Sequence, residues 1–316
     1  MLLLFGLHTS AADKTHYKTV ENIAYKTSTD QYVAERCRLD VYYNDTARTA
    51  PVVVWFHGGG LTGGSKYVPD ELKEKGLTVV AVNYRLLPRV KIDECLDDCA
   101  AAVAWVFKNV AHYGGDTRRI YVSGHSAGGY ITTMLGLDKQ WLTRYGVDAD
   151  SIKALVPFSG QMISHFAYRD MNGIGNLQPL VDRFAPLYHV RPNCPPLVLI
   201  TGDAETELFG RYEENAYMWR MMKLCGHKAT SLYKIDGHNH GDMCHPAFHI
   251  LLQTIKNKYS FCSSKPFKTA KRAFDVVSQH IKSSFFYFTD CAKNTLLPTF
   301  SHEKPTCFCL VIPKYG

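Results

Sequence analysis

The sequence predicts an α/β protein built on one mainly parallel sheet flanked by helices. Three observations predict it. From residue 37 onward, short β-rich runs alternate with longer helical patterns, as repeated β-α units do. Val52, Val53, Val54 and Trp55 are consecutive apolar residues with no polar partner between them, the pattern of a strand covered on both faces. Residues 93–113 place Leu96, Ala100, Val103, Phe107 and Val110 on one helical stripe, with Asp93, Glu94, Asp97 and Asp98 at the positive end of the helix dipole and Gly114 and Gly115 to stop it.

Taken in order, strands are expected at 37–43, 52–56, 77–84, 119–123, 152–158, 197–201 and 230–235. A second helix carries Tyr212, Ala216 and Trp219 and stops at Gly226; a third carries Phe248, Leu251, Leu252 and Ile255. Residues 160–196 are rich in Gly, Pro and Asn and interrupt the alternation between two strands, so they read as a small cap insertion over the sheet edge, where substrate selectivity would reside. The expected catalytic unit is 13–259. The remainder, 260–316, is basic, aromatic and Cys-containing, and its pattern assigns no fold.

With 316 residues, 46% hydrophobic and 21% charged, the chain has the balance of a globular protein with one large core, which excludes collagen, coiled coil and disorder. The net charge of +7 belongs mostly to the tail: residues 261–316 hold eight Lys/Arg against three Asp/Glu, leaving 28 basic and 26 acidic residues before them. A nearly neutral body gives no electrostatic reason to expect nucleic acid or an anionic membrane as partner. No internal stretch is long and apolar enough to span a membrane. Ten cysteines are too sparse for a disulfide scaffold, and Cys307 and Cys309 lack a second pair at zinc-ligand spacing, so the thiols read as buried or idle. Residues 1–12 combine a short apolar run from Leu2 to Leu7 with small residues Ser10, Ala11 and Ala12. That resembles a clipped secretory signal peptide and predicts a secreted or periplasmic protein, with the cytoplasm as the alternative.

The chemistry is carried by four segments. Gly124-His125-Ser126-Ala127-Gly128 is a GxSxG between a predicted strand and a predicted helix, a turn that pushes the Ser126 hydroxyl out at the carboxyl edge of the sheet. The strand at 52–56 runs straight into His57-Gly58-Gly59-Gly60, whose glycines can aim backbone N–H groups at a developing oxyanion, with the Ala127 N–H as the other donor. A serine nucleophile needs a base and an acid that orients it. The base candidate is His240, flanked by Gly237 and Gly241, with His238 as runner-up; the acid is Asp203, the more usual residue type, or Glu205, at the fourth position of a Gly-x-x-acid turn. His57 and His125 read as structural members of their loops, and His227, His245 and His249 as surface or packing residues.

These motifs resemble the α/β-hydrolase superfamily, specifically its hormone-sensitive-lipase-like and carbohydrate-esterase-like branch with bacterial feruloyl and acetyl esterases. The resemblance covers about residues 38–256 and rests on RLDVYY, VVVWFHGGG, VAVNYRLLP, AAVAWVFKNVAHYGGD, SGHSAGG, LITGD and DGHNHGDM. It implies hydrolysis of a carboxylic ester through an acyl-enzyme on Ser126, with His240 as base and then acid, Asp203 or Glu205 orienting it, and Gly58, Gly59 and Ala127 as the oxyanion hole. It implies no metal or organic cofactor, and small acyl or hydroxycinnamoyl esters of carbohydrates as substrates. The rivals are kynurenine formamidase-like amide hydrolysis and a catalytically inactive binding protein of the same fold. The tail after residue 259 departs from the family pattern.

Overall fold

Five apolar residues in a row can be buried only if a sheet is covered on both sides, and that is how the chain folds. The computed structural model describes residues 16–256, so the expected signal segment and the tail from 260 lie outside the described residues. Eight strands form one sheet: β1 (Tyr17–Ala24), β2 (Arg38–Asn44), β3 (Ala50–Phe56), β4 (Thr78–Val82), β5 (Gly115–His125), β6 (Ala154–Phe158), β7 (Leu197–Thr201) and β8 (Thr230–Lys234). Their order is β1-β2-β4-β3-β5-β6-β7-β8, with β2 antiparallel to both of its neighbours and every other pair parallel. This is the α/β-hydrolase architecture expected from the sequence.

The helices are α1 (Gln31–Arg36), α2 (Ile92–Asn109), α3 (Ala127–Leu137), α4 (Gln140–Thr143), α5 (Phe166–Met171), α6 (Arg211–Leu224) and α7 (Cys244–Ile255). Alternate strand residues face opposite layers. Val52, Val54, Phe56, Val80, Val82, Ile120 and Val122 share a core with Leu96, Cys99, Ala100 and Val103 of α2 and Ile131, Met134 and Leu135 of α3. Val53, Trp55, Val79, Tyr121, Val156, Phe158 and Ile200 pack against Ala247, Phe248, Leu251 and Ile255 of α7.

The sequence pattern missed one strand and lengthened one helix. The missed β1 is an edge strand whose side chains are mostly exposed, so it carries no apolar alternation to read. The helix expected over 93–113 stops as α-helix at Asn109, continues as a 3-10 turn over Val110–Tyr113, and ends at Gly114 with φ 69°. The stretch 160–196 holds α5 and a 3-10 turn at Pro186–His189 between β6 and β7. The buried Arg169 guanidinium ties its irregular backbone together by donating to the carbonyls of Ser164, Gly175, Asn176 and Gln178.

Because β3, β5, β6, β7 and β8 run parallel, their carboxyl ends share one edge of the sheet, where loops of α/β proteins place their ligand sites. The residues that leave that edge are His57, Ser126, Ser159, Gly202 and the loop from Ile235 to Met243.

Candidate active site

Ser126 sits between β5 and α3 with φ 57° and ψ −112°, a backbone conformation that costs a non-glycine residue about 1–3 kcal/mol. Its neighbours make the turn possible. A Cβ on Gly124 would lie 2.5 Å from the Phe56 carbonyl oxygen, and one on Gly128 would lie 2.0 Å from it, so the strand, the turn and the helix meet backbone to backbone. The Ser126 N–H donates to the Phe158 carbonyl at 2.8 Å, which pins the turn to β6. Ala127 opens α3, and the N–H of a helix's first residue has no helical acceptor.

The glycine loop after β3 lies against this turn: a Cβ on Gly58 would come within 3.5 Å of the Ser126 Cβ. Gly59 has φ 107°, and its carbonyl accepts from the N–H groups of Thr62 and Gly63, which curls the loop back on itself. His57 fixes the start of the loop. Its ring stacks on Tyr84 at 4.4 Å, its Nδ1–H donates to the Gly58 carbonyl at 2.7 Å, and the Tyr84 hydroxyl donates to the His57 carbonyl at 2.9 Å.

His240 stands in the loop after β8, and that loop is tied to His125, the residue before Ser126. The His125 Nε2–H donates to the His240 carbonyl at 2.8 Å, and the two rings lie 4.7 Å apart. His240 Nδ1 lies 2.9 Å from Glu207 Oε2 and 2.9 Å from the Ser159 hydroxyl. His238, the runner-up, instead lies 3.6 Å from Asp242 on the loop surface.

The carboxylate against His240 is therefore neither Asp203 nor Glu205; it is Glu207. Asp203 begins a tight turn: its Oδ1 accepts the Glu205 N–H at 3.0 Å, its carbonyl accepts the N–H groups of Thr206 and Glu207, and its Oδ2 accepts the Gly237 N–H at 2.8 Å. That turn ties the β7 loop to the β8 loop, leaves Glu205 exposed, and brings Glu207 back over the sheet edge one helical turn later. Glu207 Oε1 accepts from the Ser159 hydroxyl at 2.7 Å and the Gly202 N–H at 3.1 Å, while Oε2 also takes the Leu208 N–H at 3.1 Å. Burial pushes this carboxyl up, but the His240 ring, the Ser159 hydroxyl and the Gly202 N–H outweigh it and hold it at about 2. The missed signal was Asp203 itself: an Asp straight after a strand and a Gly caps its own turn, and the acid that meets His240 then comes four residues on.

Beside the site lies a cavity of about 570 Å³. Ile163, Phe166, Leu177, Leu208 and Phe209 supply an apolar wall, and Arg211 and Glu214 of α6 supply a polar one. Neither Ser126 nor His240 lines it. It borders them through Phe166, which a Cβ on Gly60 would touch at 2.9 Å, and through Leu208, next to Glu207.

Burial lowers His57 and His125 from the ordinary 6.5 to about 4, so both are neutral in the folded protein well below the pH at which the unfolded chain takes up their protons. Groups with a depressed folded value contribute stability above the unfolded value, and that stability is lost as the pH falls through the folded one. The thermal unfolding midpoint is accordingly expected to fall as the pH drops from about 6.5 to about 4, with Glu207 extending the loss toward about 2. Scanning calorimetry across that range checks it, and a midpoint unchanged down to pH 4 would contradict it.

The family described as BD-FAE matches residues 39–162. A probable isoprenylcysteine alpha-carbonyl methylesterase from Oryza sativa subsp. japonica is 29% identical over 240 residues, 66% of this chain and 55% of that protein. A carboxylesterase from Mycobacterium tuberculosis is 40% identical over 101 residues, 30% of this chain and 32% of that protein. The chain thus spans about half the length, or less, of the curated relatives it matches. Among solved structures, a truncated carbohydrate esterase from gut microbiota superposes with a TM-score of 0.64 at 15% identity, covering 78% of this chain and 98% of that one. Esterase 2 of Thermogutta terrifontis, phosphorylated by paraoxon, superposes with a TM-score of 0.60 at 20% identity, covering 79% and 96%.

Proposed function

We propose that this chain, an α/β-hydrolase related to esterases, is a serine carboxylesterase in which Ser126 is the nucleophile, His240 the base and Glu207 the orienting acid. The observation that carries the reading is the 2.9 Å contact of His240 Nδ1 with a carboxylate held ionised. An ionised carboxylate accepts, so Nδ1 carries the proton and Nε2 is left as a base. Nε2 closes on the Ser126 hydroxyl as substrate enters, since such contacts tighten in the complex.

In this reading Ser126 Oγ attacks the ester carbonyl carbon while Nε2 takes the hydroxyl proton. The negative charge passes to the carbonyl oxygen, which the N–H groups of Gly58, Gly59 and Ala127 stabilise. Collapse expels the alcohol, which leaves with the proton from Nε2, and the acyl group stays on Ser126. Water then repeats the sequence, giving the acid and restoring Ser126.

The cavity supports a substrate with a flat apolar group, since its apolar wall borders the glycine loop. Hydroxycinnamoyl esters of carbohydrates meet that description, small acyl esters fit the same site without filling it, and the isoprenyl group in the rice relative's name is a further apolar candidate. The test is saturable hydrolysis of p-nitrophenyl acetate, methyl ferulate, acetylated xylan and an isoprenylcysteine methyl ester, with N-formylkynurenine as the amide control. Turnover of at least one ester, lost in Ser126→Ala, is the expected result. Turnover of N-formylkynurenine alone would move the reading to the amide hydrolase, and ligand binding without any turnover would move it to the inactive binding protein.

A further inference from the structure

Beyond Ser126, His240 and Glu207, a fourth side chain sits in the same hydrogen-bonded unit. Ser159 follows β6, is fully buried, and has φ 46°, a second non-glycine residue at this edge held in the left-handed region. Its hydroxyl lies 2.7 Å from Glu207 Oε1 and 2.9 Å from His240 Nδ1. The proton count admits one arrangement. A carboxylate can only accept, so the Ser159 O–H donates to Oε1; its oxygen then accepts from the Nδ1–H, which is shared with Oε2.

The backbone around Ser159 is clamped from several directions. Its N–H donates to the Ile200 carbonyl at 2.7 Å, and its carbonyl accepts from the buried Arg211 guanidinium. Asn215 donates to the next carbonyl, that of Gly160, at 2.9 Å, and Glu214 accepts the Met162 N–H at 2.9 Å. A Cβ on Gly160 would lie 2.6 Å from the Gly129 carbonyl carbon, so the segment also presses on α3. The start of α6, the same turns that line the cavity, thus holds Ser159 in a conformation in which glycine would be at ease. A serine kept there at a conformational cost points to its hydroxyl.

We infer that Ser159 is a positioning residue for the reaction: its hydroxyl fixes the Glu207 carboxylate and shares the His240 Nδ1–H, so that the imidazole presents Nε2 to Ser126. This rests on the serine esterase reading, and the test separates the two. Ser159→Gly removes the hydroxyl and relieves the positive φ, so the variant keeps its fold; Ser159→Ala serves as the second deletion. Turnover of p-nitrophenyl acetate by Ser159→Gly should show kcat lower by about 10- to 100-fold, the scale of one charge-assisted hydrogen bond, with KM within about twofold. Placed in a Glu207→Gln background, the same change should cost less than it does in the wild type, because the part of its effect that passes through the carboxylate is already gone. An unchanged kcat, or an undiminished loss in the Glu207→Gln background, would overturn the inference.

A readout independent of turnover accompanies the kinetics. The low-field proton resonance of His240 Nδ1–H, assigned by its absence in His240→Gln, should move in Ser159→Gly, because one of its two acceptors has gone. An unmoved resonance would overturn the role of Ser159 even if the chain hydrolysed no ester, whereas a moved resonance without ester turnover would sink the esterase reading alone.

Discussion

Ser126→Ala is expected to lower kcat/KM for p-nitrophenyl acetate by about 10⁴- to 10⁶-fold, because the members of a nucleophile-base-acid unit act together and losing the nucleophile forfeits the acyl-enzyme route entirely. The substitution should leave the fold intact. Ser126 holds its turn through its backbone N–H to Phe158, which alanine retains, and the close approaches that shape the turn belong to Gly124 and Gly128. Binding should survive as well, since the cavity wall does not include Ser126. Parallel steady-state kinetics on the wild-type chain and the variant, with matched thermal midpoints, check this. A variant retaining more than about a tenth of wild-type activity would mean that another group attacks the ester.

Glu207→Gln carries the second large effect, a loss of about 10⁴-fold in kcat, the scale seen when an orienting carboxylate becomes an amide and the imidazole can adopt the wrong tautomer. The comparison with its neighbours makes the result specific. Glu205→Gln alters an exposed side chain and should stay within about threefold of wild type. Asp203→Asn keeps one of the two oxygens that accept the Glu205 and Gly237 N–H groups and loses the other, which loosens the turn without removing the carboxylate against His240, and should cost less than about tenfold. If Asp203→Asn proved the most damaging of the three, the assignment of Glu207 would be wrong despite its 2.9 Å contact with His240.

The sequence carried most of the fold because its central strands are apolar without interruption and its best helix is marked at both ends. What it concealed was β1, an exposed edge strand with no buried face to set a period. In the site, Ser126, the glycine loop and His240 were legible because each is bound to a local motif: a strand-to-helix turn, a glycine run after a strand, a glycine-flanked loop. The acid has no such motif. Asp203, Glu205 and Glu207 follow the same strand at alternate positions, and which one faces His240 depends on a turn that Asp203 caps with its own side chain. Ser159 was hidden for a related reason, since its role comes from three-dimensional contact with residues 48 and 81 positions away.

Trapping the nucleophile tests directly whether Ser126 is the group that is acylated. The chain is incubated with paraoxon and its intact mass and peptide map are recorded alongside residual ester hydrolysis. One diethylphosphoryl group per chain is expected, carried on the peptide containing Ser126, with activity lost in proportion to labelling and no adduct on Ser126→Ala. Stoichiometric labelling of another residue, with the same loss of activity and undiminished in Ser126→Ala, would contradict it.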